Sequence, residues 1–185
     1  MNAFITEHYD FITQAFGWLA AILGMLKYQL KTARHFRIGN VFSTGTFVIH
    51  YSFLGAWTAF GLSIVAVLRS ASLLSPRLWM FKKYIAISSV IICTIIWALT
   101  SKNWYDVLPL CGLYFGAIID IQDKAILARF FSVFSQSAWL VFHILSGSQG
   151  GAVNNSVNIT SNLIGFWRHQ LRPYLKTGDK KHFKI

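Results

Sequence analysis

The chain alternates between apolar stretches and short polar gaps along nearly its whole length. Seven apolar stretches predict helices over residues 11–29, 39–55, 57–74, 84–100, 104–121, 126–145 and 152–168. Each is close to the roughly 17 residues at which an α-helix first spans a bilayer core. Two gaps are glycine turns: Gly55-Ala56-Trp57, and Ser146-Gly147-Ser148-Gln149-Gly150-Gly151. Gly17 and Gly24, seven apart in the first stretch, suit close helix packing in lipid.

The distribution of basic residues turns these stretches into a topology. Sixteen of the seventeen lysines and arginines fall in every second gap, and only Lys102 lies elsewhere. The basic gaps carry Lys27 to Arg37, then Arg69 to Lys83, then Lys124 and Arg129, then Arg168 to Lys184. Basic segments are retained on the cytoplasmic face during insertion. The pattern therefore predicts an all-α membrane protein with seven transmembrane helices, its N-terminus outside and its C-terminus inside. One long helix across Gly55 would instead put the first two basic clusters on opposite faces.

Composition changes the picture little. The chain is 55% hydrophobic and 12% charged, with mean hydropathy +0.49, about half the charge of an average soluble domain. A net charge of +11 would by itself suggest nucleic acid. Nucleic-acid domains, however, cluster charge on a polar face without apolar spans between the clusters. Attraction to anionic head groups accounts for the excess. Cys93 and Cys111 read as small core residues, and no cleavable leader is expected after MNAFITEHYD.

The two glycine-turn hairpins resemble each other. Val48-Ile49-His50 precedes the first turn and Val141-Phe142-His143 the second, with the histidines 93 residues apart. The same shift lays the first stretch on the fifth and the third on the seventh. Two three-span units run in the same direction when a single crossing separates them. The expected domain is therefore a 3+1+3 parallel triple-helix repeat: a first unit at 11–74, a linker helix at 84–100, a second unit at 104–168, and a basic cytoplasmic tail at 169–185.

Candidate chemistry lies within the spans. His50 and His143 either line a cavity as a symmetric substrate- or proton-binding pair, or tie helices together. Asn154, Asn158 and Asn162 step by four along one face of the last span. They form either a hydrogen-bonding lining for a neutral polar solute or interhelical glue. Arg69 is an interface anchor or a gate residue, with Asp120 and Asp123 its nearest candidate carboxylates in topology. Pro109, inside the fifth stretch, is expected to kink it and serve as a hinge. Trp18, Trp79, Trp104 and Trp167 read as aromatic-belt residues. No nucleophile elbow, P-loop or HExxH is present, so an enzyme is not expected, nor any cofactor or metal.

The segments IHYSFLG (Ile49 to Gly55) and LIGFWR (Leu163 to Arg168), with Arg69 and the SGSQGG turn, resemble the YgjV family of bacterial inner membrane proteins. That resemblance implies a multi-pass inner-membrane location and brings no activity with it. At the level of layout the 3+1+3 arrangement is similar to SWEET, PQ-loop and PnuC-like transporters, although no Pro-Gln dipeptide occurs here. Two functions are open on these grounds. One is a transporter or facilitator for a small polar metabolite, working by alternating access. The other is a non-transporting membrane accessory or scaffold. The partners admitted are the lipid bilayer, a small polar solute and a second copy in a homodimer; nucleic acid is excluded.

Overall fold

A computed structural model describes residues 2–27, 33–122 and 125–167. Asp123, Lys124 and the basic tail at 169–185 lie outside the described residues. The long helices are α1 (Asn2–Leu26), α2 (Ala33–Leu54), α3 (Trp57–Ser72), α5 (Lys82–Thr100), α6 (Val107–Ile121), α7 (Ala125–Leu145) and α8 (Gln149–Phe166). A short helix, α4 (Pro76–Trp79), follows α3, and a 3-10 turn at Trp104–Asp106 leads into α6.

Every predicted stretch is helical where described, with two local differences. Helix α1 begins well before residue 11, and Tyr9 in the added segment makes a tertiary contact. Tyr9 donates to the Phe53 carbonyl, and Phe16 stacks on Phe53 at 5.6 Å between ring centroids. Residues 76–79 form a helix because Pro76 occupies the first helical position, where its fixed φ is favourable.

Neighbouring helices touch in the order α1, α2, α3, α5, α6, α7, α8, and α8 packs back on α1. Helix α3 also touches α6, so α5 covers the seam between them. Helix α5 is the most peripheral of the apolar helices, and Ile87, Ile91, Ile95 and Leu99 form an exposed stripe at helical spacing along it. The ring inverts the usual soluble distribution. Large apolar side chains such as Ile22, Leu68 and Ile164 are exposed, while His50, His143, Arg69, Asn154, Asn155 and Asn158 are buried. Such a surface is matched to hydrocarbon, where polar groups must find partners inside the protein. Among the described residues, three segments are long and apolar enough to cross a membrane: His8–Leu26, Lys82–Thr100 and Trp104–Ile121. Helices α2, α7 and α8 carry the buried polar residues Ser43, His50, Ser135, His143, Asn154, Asn155 and Asn158, which lower their hydropathy.

The two hairpins have the same detailed geometry, at a spacing of 92. Gly55 and Gly147 adopt φ of 69° and 73°. Ala56 N donates to Tyr51 O at 3.1 Å, and Ser148 N to His143 O at 2.9 Å. With Gly55 N on Ser52 O and Gly147 N on Ile144 O, both ends are Schellman caps. The Ser43 hydroxyl donates to Ala20 O at 2.9 Å and Ser135 to Gly112 O at 2.8 Å. Each such bond between helices contributes about 0.6 kcal/mol in lipid.

Nothing stands within 4 Å of a Cβ added at Gly55 or Gly147. Gly55→Ala and Gly147→Ala are therefore expected to lower stability by about 1–2 kcal/mol each through backbone conformation alone. Matching decreases in thermal unfolding temperature in detergent would check this.

Candidate functional site

Inside the ring lies a cavity of about 150 Å³. It is walled by α2 (Asn40, Ser43, Phe47, Tyr51), α3 (Ser63, Arg69), α6 (Gly112, Gly116), α7 (Ser135, Gln136, Trp139, His143) and α8 (Asn154, Asn155, Asn158), with Lys27 at one end. On α7 the lining positions 136, 139 and 143 share one face. On α8 residues 154 and 158 do so, and Asn155 joins them.

The two histidines have different environments. His50 is fully buried, with Nδ1 2.8 Å from the Thr13 carbonyl and Nε2 2.8 Å from Ser148 Oγ. Since a carbonyl can only accept, Nδ1 carries the proton and the Ser148 hydroxyl donates to Nε2. Both nitrogens are thereby used in tying α2 to α1 and α8. The ring also fills the notch at Gly17, where an added Cβ would stand 2.9 Å from Cε1. His50 does not line the cavity, which removes it from the substrate-binding set. His143 does line it. Its Nε2 lies 3.3 Å from Tyr51 Oη, while Nδ1 has no hydrogen-bond partner and packs against Gly151.

The 93-residue spacing of the histidines is not the spacing of the hairpin geometry. His50 lies five residues before Gly55, and His143 lies four before Gly147. The residue matching His143 is Tyr51, and these two meet each other. Tyr51 and His143 stack at 5.8 Å between centroids. Phe47 stacks on Tyr51 at 5.8 Å, as Trp139 does on His143 at 5.8 Å. Phe47 lies 5.7 Å from His143, and Trp139 lies 5.9 Å from Tyr51. All four residues of this two-fold quartet line the cavity, and Tyr51 and His143 stand one helical turn before the glycine turns.

The asparagine ladder divides too. Asn154 and Asn158 are buried in the wall, each with Oδ1 unpartnered; Asn154 packs against Gly24. Asn158 Nδ2 donates to Gln136 Oε1 at 3.4 Å. Asn162 lies beyond the cavity, with Nδ2 donating to Ser132 Oγ at 3.2 Å and Asn158 O at 2.9 Å. It joins α8 to α7, so the lining reading does not hold for it.

The two gate candidates do come together. Arg69 Nε stands 2.8 Å from Asp120 Oδ2. Nη1 reaches Ser89 Oγ at 3.4 Å and the Leu113 carbonyl at 3.5 Å. Gly116 makes room for the guanidinium, because a Cβ there would stand 2.9 Å from Nη2. A second cavity of about 240 Å³ lies at the end away from the glycine turns, lined by Arg37, Asn40, Trp79, Asp120 and others. Asn40 lines both cavities. Arg69 lines the first and Asp120 the second, so the ion pair stands at their boundary.

Pro109 is in the first turn of α6, where a proline removes no helical hydrogen bond. A kink is not required there, and the hinge role falls away. The sequence reading missed Tyr51, Trp139, Gln136 and Asn155. A search at 92 would have paired Phe47 with Trp139 and Tyr51 with His143.

An apolar-faced helical ring around a polar interior is the architecture of an integral membrane protein. A family model described as a bacterial inner membrane protein, Imp-YgjV, matches residues 11–172, and the chain belongs to that family. No curated protein and no solved structure matches the chain.

Proposed function

We propose that the protein is a transporter or facilitator for a small polar solute. The observation that carries this reading is the cavity walled by helices of both hairpins, whose lining residues His143, Asn154 and Asn158 each keep a buried polar atom without a partner in the protein. A buried polar atom without a partner costs about 1–3 kcal/mol. A scaffold gains nothing by retaining three of them.

In this reading α1–α3 and α6–α8 are parallel three-helix units with α5 as the separate crossing, and all seven long helices span the membrane. The recurrence of caps, serine bonds and aromatic stacks at 92 supports the duplication. Gathering of Lys27, Arg37, Arg77 and Lys82 at the end away from the glycine turns supports placing that end in the cytoplasm. Rocking of the units would part the aromatic quartet on the outer side and the Arg69–Asp120 pair on the inner side alternately. No reaction on the solute is involved.

The test is thermal stabilisation of the purified protein across a metabolite library, followed by uptake of each stabilising solute into proteoliposomes. Asn158→Leu is expected to leave the fold intact and to abolish both effects. Binding that survives Asn158→Leu and His143→Leu unchanged would place the solute elsewhere, and absence of any uptake would favour the scaffold.

A further inference from the structure

Resting on the transport reading, we infer that the solute is a flat, uncharged carboxamide or amino-heterocycle. Size comes first. A cavity of about 150 Å³ is the volume at which an apolar protein cavity admits benzene. A solute of about six to nine non-hydrogen atoms matches that volume.

Charge comes next. Lys27 and Arg69 line the cavity, and no described carboxylate does, which disfavours an ammonium solute. Both cations have engagements in place: Arg69 with Asp120 at 2.8 Å, and Lys27 with Asn40 Oδ1 at 2.8 Å. An anion would have to displace one of these, whereas a neutral solute displaces neither.

The polar edge narrows the class further. Asn158 Nδ2 donates to Gln136 Oε1 at 3.4 Å. That bond leaves Asn158 Oδ1 as an unpartnered acceptor on a side chain that is 1% exposed. The N–H donors of Gln136 are on the same amide whose Oε1 accepts from Asn158, and Gln136 also lines the cavity. A neighbouring donor and acceptor complement the edge of a primary carboxamide, or of an amino group next to a ring nitrogen. The same logic lets Asn or Gln read adenine bidentately. Trp139, one turn along α7 from Gln136, also lines the cavity, within the stack of Tyr51 and His143 that a flat ring would extend. Its indole is pinned against Gly112, where an added Cβ would stand 2.5 Å from the ring.

The experiment is thermal stabilisation of the full-length protein in detergent with matched probes. Benzamide and cytosine carry both features. Benzoate replaces the amide by a charge, cyclohexanecarboxamide removes the flatness, and glucose removes both. Benzamide or cytosine is expected to raise the unfolding temperature and the other three are not. Gln136→Leu and Trp139→Leu should each weaken the effect about tenfold or more, while Asn162→Leu should leave it unchanged. Stabilisation by benzoate, cyclohexanecarboxamide or glucose equal to that of benzamide would overturn the inference and leave transport standing. Failure of these probes alongside uptake of some other solute class would also overturn it. Failure of every solute, with no uptake, removes the transport reading as well.

Discussion

Gly150→Leu is expected to deplete the folded protein, because it forces α1 and α8 apart. A Cβ at Gly150 would overlap the backbone carbonyl of Gly17 and the amide of Trp18. Backbone atoms cannot swing aside as a flexible side chain can, so the helices must separate along their contact. That separation would also strain the His50 bridge to Thr13 and Ser148, which lies at the same crossing. Overpacking usually costs about 1–3 kcal/mol, and a leucine against backbone belongs at or beyond the upper end. A fall in unfolding temperature on the order of 10 °C in detergent corresponds to that loss. Gly45→Ala is the control. Nothing lies within 4 Å of the added methyl, and alanine in a helix interior gains about 0.5–1 kcal/mol over glycine. A Gly150→Leu protein as stable as the parent would mean that α1 and α8 do not meet at this point.

Arg69→Met is the second large effect. It leaves Asp120 facing the space where the guanidinium stood. Removing one member of a buried ion pair costs about 3–5 kcal/mol, mostly from the stranded charge. The Asp120 side chain is 26% exposed against 7% for Arg69, so the lower end, about 3 kcal/mol, is expected. Arg69→Met combined with Asp120→Asn should recover most of the loss, since a neutral amide is far easier to leave without its partner. Unfolding temperatures of the two singles and the double form the cycle. If the double is no better than Arg69→Met, the pair does not hold α3 to α6. Because this pair stands between the two cavities, the transport proposal predicts that the single variants also leak solute when reconstituted.

Much of the architecture was legible because hydrocarbon imposes strict rules on a chain. A backbone in lipid must satisfy its own hydrogen bonds, so apolar stretches of sufficient length become helices. Glycine turns show where those helices end, and Gly55 and Gly147 do take the positive φ that a cap demands. Arg69 and Asp120 could be matched because each lies near the same end of its own span. His50 and His143 could not be separated by sequence. Each is a lone imidazole near a helix end, and a one-residue change of register decides its neighbours. On an α-helix one residue is about 100° of rotation. That rotation turns His50 toward Thr13 and Ser148, and turns Tyr51 and His143 into the ring's interior. Asn162 shares the sequence spacing of Asn154 and Asn158, yet it lies past the end of the cavity.

The sequence by itself determined that the chain is helical and membrane-embedded, because hydropathy, turn glycines and charge act locally or through the bilayer as a whole. The tertiary structure alone decided which buried polar groups serve packing and which face a cavity. That distinction depends on the rotation and depth of each helix against its neighbours. Those are set by close contacts such as Gly150 on Gly17 and Gly151 on His143, between residues far apart in the chain.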